Sequence, residues 1–371
     1  MPLLFEPLDI GGLRLPNRIF VAPMCQYSAQ DGTPGDWHMI HLGQLALSGA
    51  GLLTIEATAV SAEGRITPGD LGLYSDANEA ALARILAAVR AHSAIPVAMQ
   101  IAHAGRKASS QAPWDGGQQI RLGEPGSWPA VAPSALPHNA HENPPLALDE
   151  AGLAKVREDF AATARRAARL GIEGLEIHAA HGYLLHEFLS PLSNQRDDDY
   201  GGTLAGRMRF PLEVFDAVRE SFPAERPVWV RLSASDWVAG GWDIEGAVAL
   251  TQALKARGCA AVHVSSGGVS SQQAIPLGPG YQVPFAARLK AEVGLPTIAV
   301  GLITEPEQAE AILAAGQADA VALARAILYD PRWPWHAAAR LGAQVKVPPQ
   351  YWRSQPREFK DLFEGAHFGQ R

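Results

Sequence analysis

Apolar residues, many of them β-branched, recur along this chain in short runs that are separated by longer stretches of helical periodicity. A short, continuous apolar run bounded by turn residues is typical of a strand that is buried on both faces, as in a parallel sheet. Eight such runs are predicted as strands: Arg18–Val21, Leu52–Ile55, Val97–Ile101, Gly174–His178, Val228–Leu232, Ala261–Val264, Thr297–Val300 and Ala320–Leu323.

The segments between these strands carry apolar residues at helical spacing, which predicts amphipathic helices that cover a parallel sheet. Several segments end in a glycine shortly before the next strand, at Gly171, Gly258 and Gly316, as expected for a left-handed residue after a helix. Eight repeated units favour a single (β/α)8 TIM barrel of the α/β class over a doubly wound open sheet. The apolar helical positions are Leu153, Val156, Phe160, Ala164 and Ala167, then Phe210, Val214 and Val218, then Ala309, Ile312, Leu313 and Gly316.

The 371 residues fit one barrel with insertions, which we assign to residues 1–341. Residues 104–148 are rich in Pro, Gly and Trp and form a long excursion after the third predicted strand, where a lid would lie. Residues 342–371 have no strand or helix role in the barrel, so we expect this tail to pack on a neighbouring subunit or to fray.

The composition argues against several classes of function. The formal net charge is −7 with no basic stripe, which disfavours a nucleic-acid partner, and no apolar run approaches the ~18 residues of a membrane-spanning helix. The first residues do not form a secretory signal, so we expect a soluble, cytoplasmic protein that acts on a small metabolite. Cys25 and Cys259 form no CxxC pattern, which excludes a disulfide framework, a cysteine zinc site and an iron–sulfur cluster, so redox chemistry would need an organic cofactor.

The densest group of reactive side chains follows the fourth predicted strand, in the sequence His178-Ala-Ala-His181-Gly-Tyr183. Active sites of (β/α)8 barrels lie at the carboxyl ends of the strands, so two imidazoles and a phenol would meet at the barrel mouth. Imidazoles can hydrogen-bond a carbonyl or nitro oxygen and polarise a conjugated alkene, and a neighbouring tyrosine can deliver a proton. Two alternatives stay open: polar residues that only cap a strand, and a zinc site, for which no third ligand is evident.

Other polar residues lie near the ends of predicted strands. Arg231 interrupts the apolar run VWVRLSASDW, so it either points into the barrel mouth or forms a structural ion pair, because a buried unpaired cation is costly. Gln100 lies near the end of the third strand. Gly301 and Ala324-Arg325 follow the last two strands, in the loops that form the standard phosphate site of this barrel, with a plain surface role for Arg325 as the alternative.

Two further observations narrow the cofactor chemistry. Gly49-Ala50-Gly51, the nearest approach to a dinucleotide-binding fingerprint, runs into a strand and lacks the third glycine, so a nicotinamide would be a visiting substrate. Cys25 has no neighbouring base that would make it a nucleophile, so we assign it to contact with a cofactor, with a buried apolar role as the alternative.

The chain resembles the Old Yellow Enzyme family, in particular its bacterial, thermophilic-like class of NADPH dehydrogenases. The resemblance runs along nearly the whole chain and rests on APMCQYSAQDG, IEATAVSAEGRITPGDLGL, QIAHAGRKA, EIHAAHGYLLHEFLSPLSNQRDDDYGG, VRLSASDW and AVGLIT. It implies an ene reductase in which NADPH or NADH reduces bound, non-covalent FMN, which then passes hydride to the β-carbon of an activated alkene such as an enone, a maleimide or a nitroalkene.

The resemblance also implies a role for each matching residue. His178 and His181 would bind the electron-withdrawing group, Tyr183 would donate the proton to the α-carbon and Tyr27 would contact the substrate. The implied FMN site comprises Pro23, Met24, Cys25, Ala57, Gln100, Arg231, Gly301, Ala324 and Arg325.

Two positions depart from the family pattern. Relatives commonly have Gly-Arg where this chain has Ala324-Arg325, and the extra methyl group requires a backbone conformation that is not restricted to glycine. The tail sequence Gln350-Tyr351-Trp352-Arg353 resembles the place where relatives insert an arginine or a tryptophan into a partner's site. We therefore expect a homodimer or homotetramer in which Trp352 or Arg353 completes a neighbour's pocket.

Two rival functions stay open. A metal-dependent TIM-barrel hydrolase would use His178 and His181 as metal ligands. A flavin-binding redox sensor would hold the cofactor on the same barrel without turning over an alkene.

Overall fold

Eight parallel strands close into a barrel in the computed structural model, which describes residues 1–367. Each strand pairs with its neighbours in chain order, and the eighth pairs with the first. Helices lie between the strands, so the predicted (β/α)8 TIM barrel is confirmed. The barrel strands are β1 (Ile19–Val21), β2 (Leu52–Ala59), β3 (Val97–Ala102), β4 (Gly174–Ala179), β5 (Val228–Ser233), β6 (Val262–Ser265), β7 (Thr297–Ala299) and β8 (Ala320–Leu323).

Strand β2 is longer than the apolar run that predicts it. The polar residues Glu56 and Thr58 follow the apolar run Leu52–Ile55, yet both are buried within the strand. Their polar atoms have partners, because the Thr58 hydroxyl donates to the Glu56 carbonyl at 2.8 Å and the Gln26 amide donates to Glu56 Oε2 at 2.8 Å. A satisfied polar group costs little when buried, so the strand continues through it.

The covering helices bury the positions that the helical spacing predicts. In the helix Glu150–Arg169, the residues Leu153, Val156 and Phe160 are buried, and Asp149 caps the first turn by accepting from the Gly152 amide at 2.8 Å. Gly171, Gly258 and Gly316 have φ angles of +69°, +82° and +67°, as predicted for residues that end helices. The helices are α1 (Asp36–Ala46), α2 (Asp76–His92), α3 (Glu150–Arg169), α4 (Leu184–Leu189), α5 (Leu204–Ser221), α6 (Ile244–Lys255), α7 (Val283–Val293), α8 (Pro306–Ala314), α9 (Arg325–Tyr329) and α10 (Trp333–Leu341).

An N-terminal hairpin closes the amino end of the barrel. Its strands, Leu8–Ile10 and Leu13–Leu15, pair antiparallel. The turn residue Gly11 packs against Pro227 and Ala260, which lie just before β5 and β6. The hairpin therefore leaves the carboxyl ends of the strands as the open face.

The excursion after β3 folds over that open face. It contains two short 3₁₀ turns, Gly105–Lys107 and Pro113–Asp115, and a short parallel pair formed by Val131–Ala132 and Leu146–Ala147. The Lys107 ammonium donates to the carbonyls of His181 and Gly268, at 2.9 and 3.1 Å. One cation thus fastens the lid to the loops after β4 and β6.

Part of the tail packs on the chain's own barrel, and the expected contact with a neighbouring subunit stays a prediction. Val345 and Phe363 form a parallel bridge and are both buried. The Phe363 ring packs against the Trp335 ring of α10, with 5.2 Å between their centroids. Apolar burial against α10 therefore holds Val345 and Phe363 on the barrel.

Gly182 and Gly240 provide a matched test of how tightly the loops after β4 and β6 pack. Their φ angles are +71° and +74°, so placing alanine in this left-handed conformation costs a similar free energy, about 1–2 kcal/mol, at either position. A Cβ on Gly182 would also overlap the Gly268 carbonyl oxygen and lie 2.7 Å from Val269 Cα, whereas a Cβ on Gly240 has nothing within 4 Å.

We expect Gly182→Ala to lower the free energy of unfolding by roughly 2 kcal/mol more than Gly240→Ala, measured by denaturant titration. Equal losses would show that the two loops separate easily.

Candidate functional site

Polar side chains on adjacent strands meet at the barrel mouth because the parallel registers align them. Gln100 on β3 is opposite Glu176 on β4, and His178 on β4 is opposite Arg231 on β5. Arg231 is in turn opposite His263 on β6. Three of these five residues, Gln100, His178 and Arg231, are sequence-predicted site residues.

Arg231 is 8% exposed, and within residues 1–367 its side chain forms neither a hydrogen bond nor an ion pair; its Nε is buried without a partner. The alternative of a structural ion pair is therefore wrong. Burial lowers the pKa of this guanidinium, but arginine keeps its charge in proteins. An unpaired buried cation is costly, so this position is built for an acceptor that lies at the barrel mouth.

Glu176, which the sequence analysis missed, is an ionised carboxylate inside the barrel. Its Oε1 accepts from Gln100 Nε2 at 2.7 Å, and its Oε2 accepts from Trp229 Nε1 at 2.7 Å and His263 Nδ1 at 2.9 Å. Burial acts to raise its pKa, but the His263 contact, the Arg231 charge and the Trp229 hydrogen bond lower it to about 2. The carboxylate fixes the orientation of the Gln100 amide.

The turn after β4 brings His178, His181 and Tyr183 together, as predicted. The His178 ring lies 5.1 Å from the His181 ring and 5.0 Å from the Tyr183 ring, nearly perpendicular to both. Burial, and then the charge of Arg231, lowers the pKa of both histidines well below the ordinary value, so both imidazoles are neutral at physiological pH. Burial raises the pKa of Tyr183 well above its ordinary value, so the phenol keeps its proton.

A buried pair that the sequence analysis also missed holds this turn. The Gly182 amide donates to His186 Nδ1 at 2.9 Å, and His186 Nε2 lies 2.9 Å from Asp236 Oδ1. Both side chains are fully buried. His186 lies three residues beyond Tyr183, so its place in the same motif was a signal, whereas nothing local indicates Asp236.

The loop after β1 places Pro23, Met24, Cys25 and Tyr27 at the mouth, all of them half-buried. Burial, followed by the charges of Asp70 and Glu56, raises the pKa of Cys25 well above its ordinary value. The residue is therefore a neutral thiol, which fits a contact role and not that of a nucleophile.

The loops after β7 and β8 carry the predicted phosphate-binding residues. Gly301 has a φ of +124°, and a Cβ there would lie 2.8 Å from Gln282 Nε2, so only glycine fits. Ala324 has a φ of −109°, outside the left-handed region that favours glycine, but its ψ of −93° also lies outside the main helical and extended regions. Arg325 is exposed and makes no side-chain hydrogen bond or salt bridge among residues 1–367.

Tyr281 lies within electrostatic range of both Arg231 and Arg325. Burial raises the pKa of its hydroxyl, and Arg325 and Arg231 both lie close enough to oppose that shift. Positive charge therefore extends from the centre of the barrel mouth to the loop after β8.

The lid and the loop after β2 line a cleft of about 530 Å³ that is open to solvent, and none of His178, His181, Tyr183 and Arg231 lines it. Tyr27 lines it together with Trp114, whose ring meets the Tyr27 ring edge to face at 5.7 Å. Tyr27 and Lys107 also line an adjoining space of about 260 Å³. These volumes suit a small organic substrate.

Within residues 1–367, no group of three His, Cys, Asp or Glu side chains is arranged to hold a metal ion. His178 and His181 therefore lack a third protein ligand in this part of the chain. No helix in the same range is long and apolar enough to cross a membrane.

Comparisons with known proteins identify the family. The chain matches the NADH:flavin oxidoreductase / NADH oxidase family over residues 3–344. It is 44% identical to an NADPH dehydrogenase of Geobacillus thermodenitrificans, covering 95% of this chain and 98% of that protein. It is 39% identical to an NADPH dehydrogenase of Listeria innocua, covering 95% and 99%.

Solved structures agree with this assignment. Morphinone reductase is similar with a TM-score of 0.77 at 32% identity, covering 99% of this chain and 94% of that one. The same enzyme in complex with tetrahydroNAD is similar with a TM-score of 0.76 at 31% identity, covering 99% and 96%. The chain is therefore an oxidoreductase and not a metal-dependent hydrolase. It belongs to the NADH:flavin oxidoreductase / NADH oxidase family, the Old Yellow Enzyme family, and its chemistry depends on a flavin.

Proposed function

We propose that the protein is an FMN-dependent ene reductase. The observation that carries the proposal is the unpaired guanidinium of Arg231, buried at the barrel mouth beside two neutral imidazoles. Bound FMN would supply the redox chemistry, taking a hydride from NADPH or NADH and passing one to the β-carbon of an enone, a maleimide or a nitroalkene. The chain's own residues would bind and orient both partners and deliver the proton.

The donor set at the mouth fits a flavin with a phosphate tail. Arg231 would stabilise the negative charge that reduction adds to the ring, and Gln100, oriented by Glu176, would hydrogen-bond the pyrimidine edge. Gly301 offers close backbone approach and Arg325 an unpaired cation for the phosphate. The proposed FMN contacts are Pro23, Met24, Cys25, Ala57, Gln100, Arg231, Gly301, Ala324 and Arg325.

The substrate would bind on the imidazole pair. Neutral His178 and His181 would donate hydrogen bonds to a carbonyl or nitro oxygen, which draws electron density from the conjugated double bond. Tyr183, which keeps its proton, lies next to the His178 ring and would protonate the α-carbon. Tyr27, on the wall of the lid cleft, would contact the rest of the substrate.

The nicotinamide would enter the same open face as a second substrate. The chain has no dinucleotide-binding fingerprint, so the nicotinamide has no dedicated domain. The complex of morphinone reductase with tetrahydroNAD supports this arrangement in a similar barrel. Either NADPH or NADH would serve as the reductant.

The proposal is tested in two anaerobic stages. The purified protein is expected to show visible flavin absorption, to lose it on addition of NADPH or NADH, and to recover it when 2-cyclohexenone is added. The double variant His178→Ala, His181→Ala is expected to retain flavin but to recover no absorption with the enone. A protein that binds flavin without reoxidation by any enone, maleimide or nitroalkene would be a redox sensor, and full turnover by the double variant would remove the histidines from the mechanism.

Tyr183→Phe separates proton delivery from flavin reduction. We expect the rate of reoxidation by 2-cyclohexenone, measured by anaerobic stopped flow, to fall roughly tenfold, less than the ~10²–10⁴-fold of a typical general acid because water enters an open site. The rate of flavin reduction by NADPH is expected to be unchanged. Tyr200→Phe, which removes a hydroxyl that contacts the Glu213 carboxylate on α5, serves as the control. Equal reoxidation rates for Tyr183→Phe and wild type would assign the proton to another donor.

We also propose that the protein is a homodimer or homotetramer in which Arg353 reaches a neighbour's substrate site. Arg353 is exposed, whereas Trp352 is half-buried and donates from Nε1 to the Val347 carbonyl at 3.0 Å, so the arginine is the better candidate. Removal of the tail would also delete the buried Leu362 and Phe363, which makes a point variant the sharper test.

Arg353→Ala is expected to raise KM for the alkene about tenfold, by loss of one charged hydrogen bond, without changing flavin content. Arg357→Ala, another exposed arginine of the tail, is the matched control. A KM equal to that of the wild type, in an assembled oligomer, would contradict the role.

A further inference from the structure

The two imidazoles face each other through one nitrogen each, and what the pair can bind depends on which of these nitrogens carries a hydrogen. His178 Nε2 and His181 Nδ1 lie 3.4 Å apart. A neutral imidazole carries one N–H, and the partner of its other nitrogen decides which nitrogen that is. Two facing N–H groups would bind an oxygen atom together, whereas one N–H and one bare nitrogen would bind each other.

The backbone settles the state of His178. Its Nδ1 lies 3.2 Å from the amide nitrogen of Ala180, which can only donate. Nδ1 is therefore the acceptor, and the single hydrogen of the neutral ring lies on Nε2, facing His181.

Ser265 is the only hydrogen-bond partner of the far nitrogen of His181 among residues 1–367, with 2.6 Å between its Oγ and His181 Nε2. A hydroxyl can donate or accept, so its role follows from distance. The hydroxyl of Ser265 lies 2.6 Å from His181 Nε2 but 3.3 Å from its other acceptor, Gln282 Oε1, so its hydrogen is better placed toward His181.

Two further distances agree. Gln282 Nε2 donates to the Val300 carbonyl at 2.9 Å, so its Oε1 faces the serines and accepts from Ser266 Oγ at 2.7 Å. Ser265 Oγ lies 3.3 Å from that same oxygen, beyond the ~3.0 Å limit of a good hydroxyl bond. The 3.4 Å between His178 and His181 is likewise long for a hydrogen bond and suits two nitrogens that both carry hydrogen.

We propose that Ser265 is a positioning residue whose hydroxyl donates to His181 Nε2 and holds the Nδ1–H tautomer. His178 and His181 then present two converging N–H groups to the oxygen of a carbonyl or nitro substrate. This assignment rests on the function proposed above. Ser265 would therefore contribute to substrate activation indirectly, by fixing the tautomer of His181.

The test reads the tautomer directly, by two-bond ¹⁵N–¹H NMR of the flavin-loaded protein with ¹⁵N-labelled histidine. His181 is assigned from the signals lost in His181→Gln. The wild type is expected to show hydrogen on Nδ1 of His181 and on Nε2 of His178. Ser265→Ala is expected to move the His181 hydrogen to Nε2, and Ser265→Thr, which keeps the hydroxyl, to leave it on Nδ1. Ser266→Ala, which removes the neighbouring hydroxyl, is expected to leave the tautomer unchanged.

The proposal is overturned if wild-type His181 carries its hydrogen on Nε2, or if Ser265→Ala leaves it on Nδ1. Should Ser265→Ala fail to fold, the wild-type and Ser265→Thr spectra decide. Ser265→Ala is also expected to weaken 2-cyclohexenone binding in the reoxidation step about tenfold at unchanged flavin affinity, as expected for one lost hydrogen bond. The spectra are independent of turnover, so correct tautomers in a protein that reduces no alkene would refute only the proposed function.

Discussion

The site depends on the way in which two buried charges of opposite sign are compensated. Glu176 accepts hydrogen bonds from Gln100, Trp229 and His263, so its charge is satisfied within the barrel. Within the described residues 1–367, Arg231 on the next strand has no such partner. A barrel interior that satisfies its anion and leaves its cation open directs a positive potential toward the mouth. Under the proposed function, a flavin and an electron-poor alkene would both gain negative charge there.

That open cation also explains how the other groups divide the chemistry. Its charge, added to burial, keeps His178 and His181 neutral, so they act as hydrogen-bond donors and do not compete as acids. Tyr183 keeps its proton because burial raises its pKa. Under the function proposed above, Arg231 would stabilise charge, the imidazoles would polarise the substrate and the phenol would deliver the proton. No single residue would have to change its charge before the substrate arrives.

The fold and the outline of the site could be predicted because they follow local patterns. The short apolar runs predicted all eight strands. The polar residues near the strand ends predicted Arg231 and the turn from His178 to Tyr183 as parts of the site. Glu176 was missed because a carboxylate inside an apolar run has meaning only once its three partners on other strands are known. The role of Asp236 and the packing of the tail could not be predicted for the same reason. Their partners, His186 and Trp335, lie far away in sequence.

The precision of the imidazole pair comes from backbone that is unusual in itself. His181 has a φ of +59°, a left-handed conformation that a histidine adopts only when its surroundings hold it there. Its amide donates to Ser233 Oγ at 3.0 Å, and its carbonyl accepts from Lys107 at 2.9 Å. Lys107 belongs to the base of the lid and also binds the Gly268 carbonyl, so one cation holds the lid base and the backbone that carries His181 together. The position of the imidazole pair therefore depends on contacts from three separate loops.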